Sequence, residues 1–282
     1  MNDYWVLIRP RILGAVLFTI AVAAMVTGRD VRWWPLLAHA LVGTGLVIVG
    51  AIALNQRLEH GTDALMLRTA RRPLPTGRLS NAQVALFGAV ASIAGILYLY
   101  WLVTAATVVL AVVSWVIYVW VYTPLKLFTT WQTPIGAVTG AMPTLLGAAA
   151  VNRPTALIAL VMFGIVFFWQ FPHAMAIAWI YRHEFAAADV KVATVVDPSG
   201  RTAAWMAVTG AVALLAVSLV PSGCHVLGWG YALAAAVLGL GYLAASIDFL
   251  LRTNDATARR LLRVSLVYLI AIFVALLVAA LA

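Results

Sequence analysis

The stretch "PLLAHALVGTGLVIVGAIALNQRLEHGTD", residues 35–63, decides the fold. Residues 35–55 contain no Asp, Glu, Lys or Arg, and about 20 such residues as a helix cross a hydrocarbon core of about 30 Å. The run then passes directly into polar chemistry. Asn55, Glu59 and Asp63 stand four apart, twice over. If the helix continues past Asn55, the three side chains share one face, drifting by about 40° per step. A membrane span ending in two carboxylates on one side predicts a helical membrane protein with chemistry at one surface.

The same apolar run recurs along the chain. Of 282 residues, 65% are hydrophobic and 10% charged, where soluble domains carry about a quarter charged; mean hydropathy is +1.02. Nine segments read as spans, near residues 11–28, 35–55, 82–102, 104–122, 134–151, 155–180, 203–221, 226–247 and 262–281. The boundary near Thr104 has no charge to mark it. Continuous Leu, Ala and Val runs oppose a β-barrel, whose strands would alternate with a polar lumen face. The predicted fold class is all-α and polytopic, a single transmembrane domain over 1–282. No cleavable signal peptide and no Arg- and Ser-rich transit segment stands out, so a bacterial cell (inner) membrane is the expected location.

Charge sets the expected orientation. The N-terminal segment and the loops after spans 2, 4, 6 and 8 hold fifteen of the 18 Lys and Arg residues; Arg29, Arg32 and Arg153 fall on the other side. The N-terminus is therefore expected in the cytoplasm. The net charge of +9 follows from topology and anionic headgroups and requires no nucleic acid. The single cysteine, Cys224, excludes an internal disulfide and a cysteine metal cluster.

Acids are less expected in topology loops. Five of the nine, Glu59, Asp63, Glu184, Asp189 and Asp197, lie in the loops after spans 2 and 6. Two carboxylates and an amide oxygen suit Mg²⁺, which usually binds one or two carboxylates plus substrate phosphates. The plain alternative is a solvated helix end with Glu59 and Asp63 paired to Arg57 or Arg68, and such pairs are weak. Two further stretches favour a site. In "FWQFPHAMAIAWIYRHEF", residues 168–185, His173 and Glu184 are eleven apart, three helical turns, with Tyr181 near the same face. A continuous helix puts His173 about 16 Å deeper. At that depth it faces a cavity or is a neutral His bonded to a carbonyl. In "YVWVYTPLK", residues 118–126, Tyr118, Tyr122 and Lys126 step by four toward the same surface, with Pro124 expected to end the helix before Lys126. Lys126 is a topology charge or a phosphate contact.

These residues carry a resemblance. The N-x-x-x-(D/E)-x-x-x-D pattern followed by "RTARRPLP", residues 68–75, resembles the first aspartate-rich motif of the UbiA superfamily of intramembrane prenyltransferases. The stretches 55–80, 122–150 and 168–200, with the opening "IRPRI", are similar to its haem-farnesylating branch over nearly the whole chain. The resemblance implies a UbiA-type bundle around a central cavity. It implies transfer of the farnesyl group of farnesyl diphosphate to a vinyl group of haem B, giving haem O and diphosphate. The product would supply a downstream haem A synthase or terminal oxidase assembly. By the same resemblance, Asn55, Glu59 and Asp63 hold Mg²⁺ with the diphosphate, and Glu184 with Asp189 forms the second acidic motif. Arg68, Arg72, Lys126 and Arg182 are candidates for the diphosphate oxygens. Tyr118, Tyr122, Trp169, Phe171 and Tyr181 are candidate π faces for a cation or the prenyl pocket. His173 is the haem-facing candidate, as iron ligand or base. Relatives often place acids where this chain has Gly61 and His183, which leaves two fewer ligands here. A UbiA-type enzyme acting on a quinone precursor or chlorophyll-like ring, a transporter with a His relay, and a structural assembly protein are the other readings. The transporter lacks a visible inverted repeat, and the assembly protein leaves the acids unexplained.

Overall fold

A computed structural model describes residues 3–28 and 34–281; Arg29 and Arg32 of the charge count lie outside the described residues. The long helices are α1 (Pro10–Thr27), α2 (Trp34–Leu58), α3 (Asn81–Leu102), α4 (Ala105–Leu125), α5 (Gln132–Ala150), α6 (Leu157–Ile180), α7 (Arg201–Gly223), α8 (Trp229–Leu251) and α9 (Asp255–Leu281). No strand occurs among the described residues. Eight of these helices are long and apolar enough to cross a membrane. The helix outside that set is α5, whose Gln, Thr and Pro residues lower its hydropathy.

Caps explain where helices begin. Ser80 and Gln83 form a reciprocal capping box at the start of α3. The uncharged boundary at Thr104 is real: its hydroxyl accepts from the Thr107 N–H at 3.2 Å, and Val103 is extended. A side-chain cap ends one helix and starts the next without any charge. The last span starts earlier than expected, at Asp255 rather than 262. Asn254 Oδ1 accepts from the N–H groups of Ala256 and Thr257 at 2.9 and 3.0 Å, so Arg259, Arg260 and Arg263 ride on its first turns. Their long stems keep the charged heads at the surface.

Small residues bring α2 and α3 together. A Cβ on Gly95 would stand 2.7 Å from both the Gly43 carbonyl and the Val47 nitrogen, so only glycine permits that backbone approach. On its far side α3 exposes Leu86, Val90, Ile93, Leu97 and Trp101, a stripe suited to lipid. Helices α6 to α9 share a second core built on Met162, Ile165, Leu214, Tyr242, Tyr268 and Phe273.

The polar connections gather on one face. Arg78 pairs with Asp3 at 2.8 Å, Lys126 with Glu59 at 2.6 Å, and Arg182 with Asp255 at 2.9 Å. The Lys191 N–H donates to the Lys126 carbonyl at 2.7 Å, and the Arg68 N–H to Glu184 Oε2 at 3.1 Å. The N-terminal segment and the loops after α2, α4, α6 and α8 thus form one surface. Helix α5 leaves that surface and ends beside the α3–α4 turn, where Thr104 Oγ1 donates to the Ala149 carbonyl at 2.9 Å. It runs the full depth of the bundle.

Candidate active site

Helix α2 ends at Leu58, Glu59 turns (φ −95°, ψ 4°) and a short helix His60–Leu65 carries Asp63, yet the four-residue bonding persists through the acid motif. The Glu59 N–H bonds to the Asn55 carbonyl at 2.9 Å, and the Asp63 N–H to the Glu59 carbonyl at 2.8 Å. The four-residue spacing therefore stacks Asn55, Glu59 and Asp63 on one face. That face lines the mouth of a cavity of about 750 Å³, and Arg68, Arg72, Lys126, Tyr118, Tyr122 and His173 also line it.

Each acid already faces a cation, though neither pairs with Arg57 or Arg68. Glu59 accepts from Lys126 Nζ, and Asp63 from Arg72 Nη1. Asp63 is buried to 1% exposure. Burial and then the neighbouring Glu59 carboxylate push it up to about 6, against the pull of Arg9, Thr69 and Lys126. Lys126 lies 4.3 Å over the Tyr122 ring. Burial pulls its ammonium down, but Glu59 and the two tyrosines outweigh that and hold it above the ordinary lysine value.

Pro124 sits inside the last turn of α4, which ends at Leu125 just before Lys126. Residues Ile117–Tyr122 adopt π geometry, and the Thr123 N–H bonds to the Tyr118 carbonyl five residues back. A proline lacks the N–H and crowds the carbonyl four residues earlier; the wider turn relieves both. Thr123 Oγ1 donates to the same Tyr118 carbonyl at 2.7 Å and accepts from Asn55 Nδ2 at 2.9 Å. The hydroxyl has one proton, so the Asn55 amide is held with its nitrogen toward Thr123 and its oxygen without a hydrogen-bond partner among the described residues.

The continuous helix expected between His173 and Glu184 is interrupted. Helix α6 ends at Ile180, Tyr181 turns (φ −107°, ψ 21°), and a short helix Arg182–Ala187 follows. His173 stays on the cavity wall, while Glu184 sits outside it and caps the Arg68 N–H. This bond joins the two acidic loops. The Arg68 guanidinium lies 4.7 Å over the Tyr181 ring, so Tyr181 contacts the cavity through Arg68. Asp189 pairs with Lys191 and its side chain is 78% exposed, away from the cavity. Arg182 turns to Asp255 and lies 4.5 Å over Trp179. Phe171 packs on Phe167 and Phe168. Trp169 stacks on His173 at 4.5 Å and supports it from behind. Gly61 and His183 are both exposed, and a Cβ on Gly61 would touch nothing within 4 Å; neither lines the cavity.

Sequence reasoning missed Arg9, Thr123, Gln170 and Ser265. Arg9 lines the cavity in a left-handed conformation, φ 50°, immediately before Pro10. Gln56 Nε2 donates to the Leu7 carbonyl at 2.6 Å and so anchors the segment that presents it. The Arg-Pro pair was its only signal. Gln170, an amide within a span, was visible beside His173; its Nε2 donates to the Ala137 and Val166 carbonyls.

No three His, Cys, Asp or Glu side chains converge as a metal cage among the described residues. The donor set is instead two carboxylates and one amide oxygen at a cavity mouth. That suits an ion carried in with a phosphate substrate.

Residues 16–277 match the UbiA prenyltransferase family. The chain belongs to that family. A protein of Rhodopirellula baltica named protoheme IX farnesyltransferase is 38% identical, the match covering 94% of this chain and 96% of the relative. The similarity to the haem-farnesylating branch is thereby borne out. Among solved structures, the UbiA fold recurs in one described for digeranylgeranylglyceryl phosphate synthase, with a TM-score of 0.83 at 15% identity over 99% of this chain and 98% of that one. It also recurs in a UbiA homolog from Archaeoglobus fulgidus bound to DMAPP and Mg²⁺, with a TM-score of 0.64 at 13% identity over 98% and 99%. As a UbiA-family member, the chain is an intramembrane prenyltransferase, and the transporter and assembly readings fall away.

Proposed function

We propose that this enzyme transfers the farnesyl group of farnesyl diphosphate to a vinyl group of haem B, with water supplying the hydroxyl of haem O and diphosphate leaving. The observation that carries this reading is a cavity that joins a mouth of paired acids and cations to an apolar interior with His173 on its wall. The name of the Rhodopirellula relative supports the acceptor. The Archaeoglobus homolog supports a divalent ion with the prenyl diphosphate.

Asn55, Glu59 and Asp63 would hold Mg²⁺, which neutralises charge on the leaving diphosphate. Lys126 and Arg72, now paired to those acids, then turn to phosphate oxygens together with Arg68 and Arg9. Glu184 supports Arg68. The apolar interior takes the farnesyl chain and excludes water, Tyr118 and Tyr122 offer π faces to the allylic cation, and His173 faces haem B. Asp189 and Arg182 act outside the cavity, steadying the second loop. We place the shared polar face in the cytoplasm, because it gathers most of the basic residues, and count α5 as a ninth crossing of a bacterial inner membrane. Delivery of haem O to a haem A synthase or oxidase assembly would follow on that membrane.

The test is the mass of the product. Purified protein with Mg²⁺, farnesyl diphosphate and competing acceptors should prenylate haem B. A prenylated quinone precursor with haem B left intact would overturn the acceptor.

A further inference from the structure

His173 lines the cavity, yet its ring is held from outside it. Its Nδ1 lies 2.8 Å from Ser265 Oγ on α9. Trp169, one turn earlier on α6, stacks on the imidazole and donates Nε1–H to the Ser265 backbone carbonyl at 2.7 Å. Tyr242 of α8 donates its hydroxyl to the Trp169 carbonyl at 3.0 Å. Three helices thus fix one imidazole, and the hydrogen bonds that α9 makes to His173 and Trp169 run through Ser265, which is fully buried.

The Ser265 hydroxyl has one proton, and it is committed: Oγ donates to the Leu262 carbonyl at 2.7 Å. Oγ therefore receives the bond from His173, so Nδ1 carries the ring proton. A neutral imidazole protonated at Nδ1 has a bare lone pair at Nε2. Nε2 has no protein partner among the described residues. Imidazoles that bind metals are commonly set this way, with the far nitrogen donating to a fixed acceptor.

We infer that Ser265 is a positioning residue that holds His173 in the Nδ1–H tautomer, so that Nε2 ligates the iron of the haem acceptor. This rests on the haem reading above. It selects ligand over base for His173, and it assigns Ser265 a role no sequence motif suggested.

Ser265→Ala makes a clean test, because Trp169 bonds to the backbone carbonyl that alanine keeps. Haem B is titrated into the purified full-length protein while the absorption spectrum is followed. Ser265→Ala should weaken haem binding by about 10- to 100-fold and shift the haem band. The KM for farnesyl diphosphate should stay unchanged, while the thermal midpoint falls only by the loss of one buried hydrogen bond. Ser265→Thr, whose hydroxyl reaches the same carbonyl, should restore affinity and spectrum. The double variant with His173→Ala should match His173→Ala alone. A wild type that binds and farnesylates haem B, with Ser265→Ala equal to it in affinity and spectrum, overturns the role of Ser265 alone. A wild type that neither binds haem B nor yields haem O overturns the acceptor assignment and this inference with it.

Discussion

Asp63 faces opposite demands from folding and function. Its folded value of about 6 stands above the ordinary 3.8, so the fold binds a proton more tightly than the unfolded chain does. Its contribution to stability is complete below 3.8 and is lost as pH rises through about 6. The proposed role in the metal-diphosphate site runs the other way, since only the carboxylate pairs with cations. Between pH 5 and 7 the thermal midpoint should drift down while turnover rises, and melts of Asp63→Asn should lose that share of the drift. Glu59→Gln and Asp63→Asn should each cut turnover by about 100-fold or more while leaving folded protein in the membrane. Full activity in both, or in excess EDTA, would remove the metal-diphosphate assignment. Arg9 repeats the conflict in its backbone. A non-glycine residue at φ 50° costs about 1–2 kcal/mol, and Arg9 forms no side-chain ion pair among the described residues. Arg9→Gly should raise stability by about 1 kcal/mol and raise the KM for farnesyl diphosphate; an unchanged KM would return Arg9 to a topology charge.

At the scale of the element, the π turn of α4 links proline chemistry to the acid motif. Thr123 closes the wide turn and orients Asn55 with one hydroxyl. Thr123→Val keeps the shape but removes the acceptor for the Asn55 amide. It should lower kcat/KM by about tenfold or more with helix content by circular dichroism unchanged, and Thr123→Ser should recover the rate. Equal rates in wild type and Thr123→Val would mean that Asn55 needs no such orientation. The i,i+4 spacing of Asn55, Glu59 and Asp63 made the α2 face legible, because a helix of ordinary pitch carries it. The helix end near Pro124 was legible, and α4 does stop at Leu125; the π turn before it was not, because a proline's lost N–H predicts disruption and not the form it takes. The break at Tyr181 escaped for the converse reason: no glycine or proline stands there.

The whole molecule gathers its charged loops, those after α2, α4, α6 and α8, on one face. With that face in the cytoplasm and α5 as a ninth crossing, as proposed above, the C-terminus falls on the other side. A reporter fused after Ala282 should be active on the periplasmic side; cytoplasmic activity would mean an even number of crossings. Composition and span length determined the class of protein, because a bilayer imposes one solution on long uncharged runs: helices with every backbone group bonded internally. Motif spacing determined one half of the candidate site, the stacked Asn55, Glu59 and Asp63, because four-residue backbone bonding persists from the end of α2 into the short helix His60–Leu65. Tertiary structure alone decided the rest. It set Glu184 against Arg68 and not in the cavity, and turned Arg182 and Asp189 outward. It brought in Arg9 from the N-terminal segment and seated His173 against Ser265, 92 residues away. Those choices depend on which helix faces pack together, and contacts between distant segments carry no periodicity along the chain.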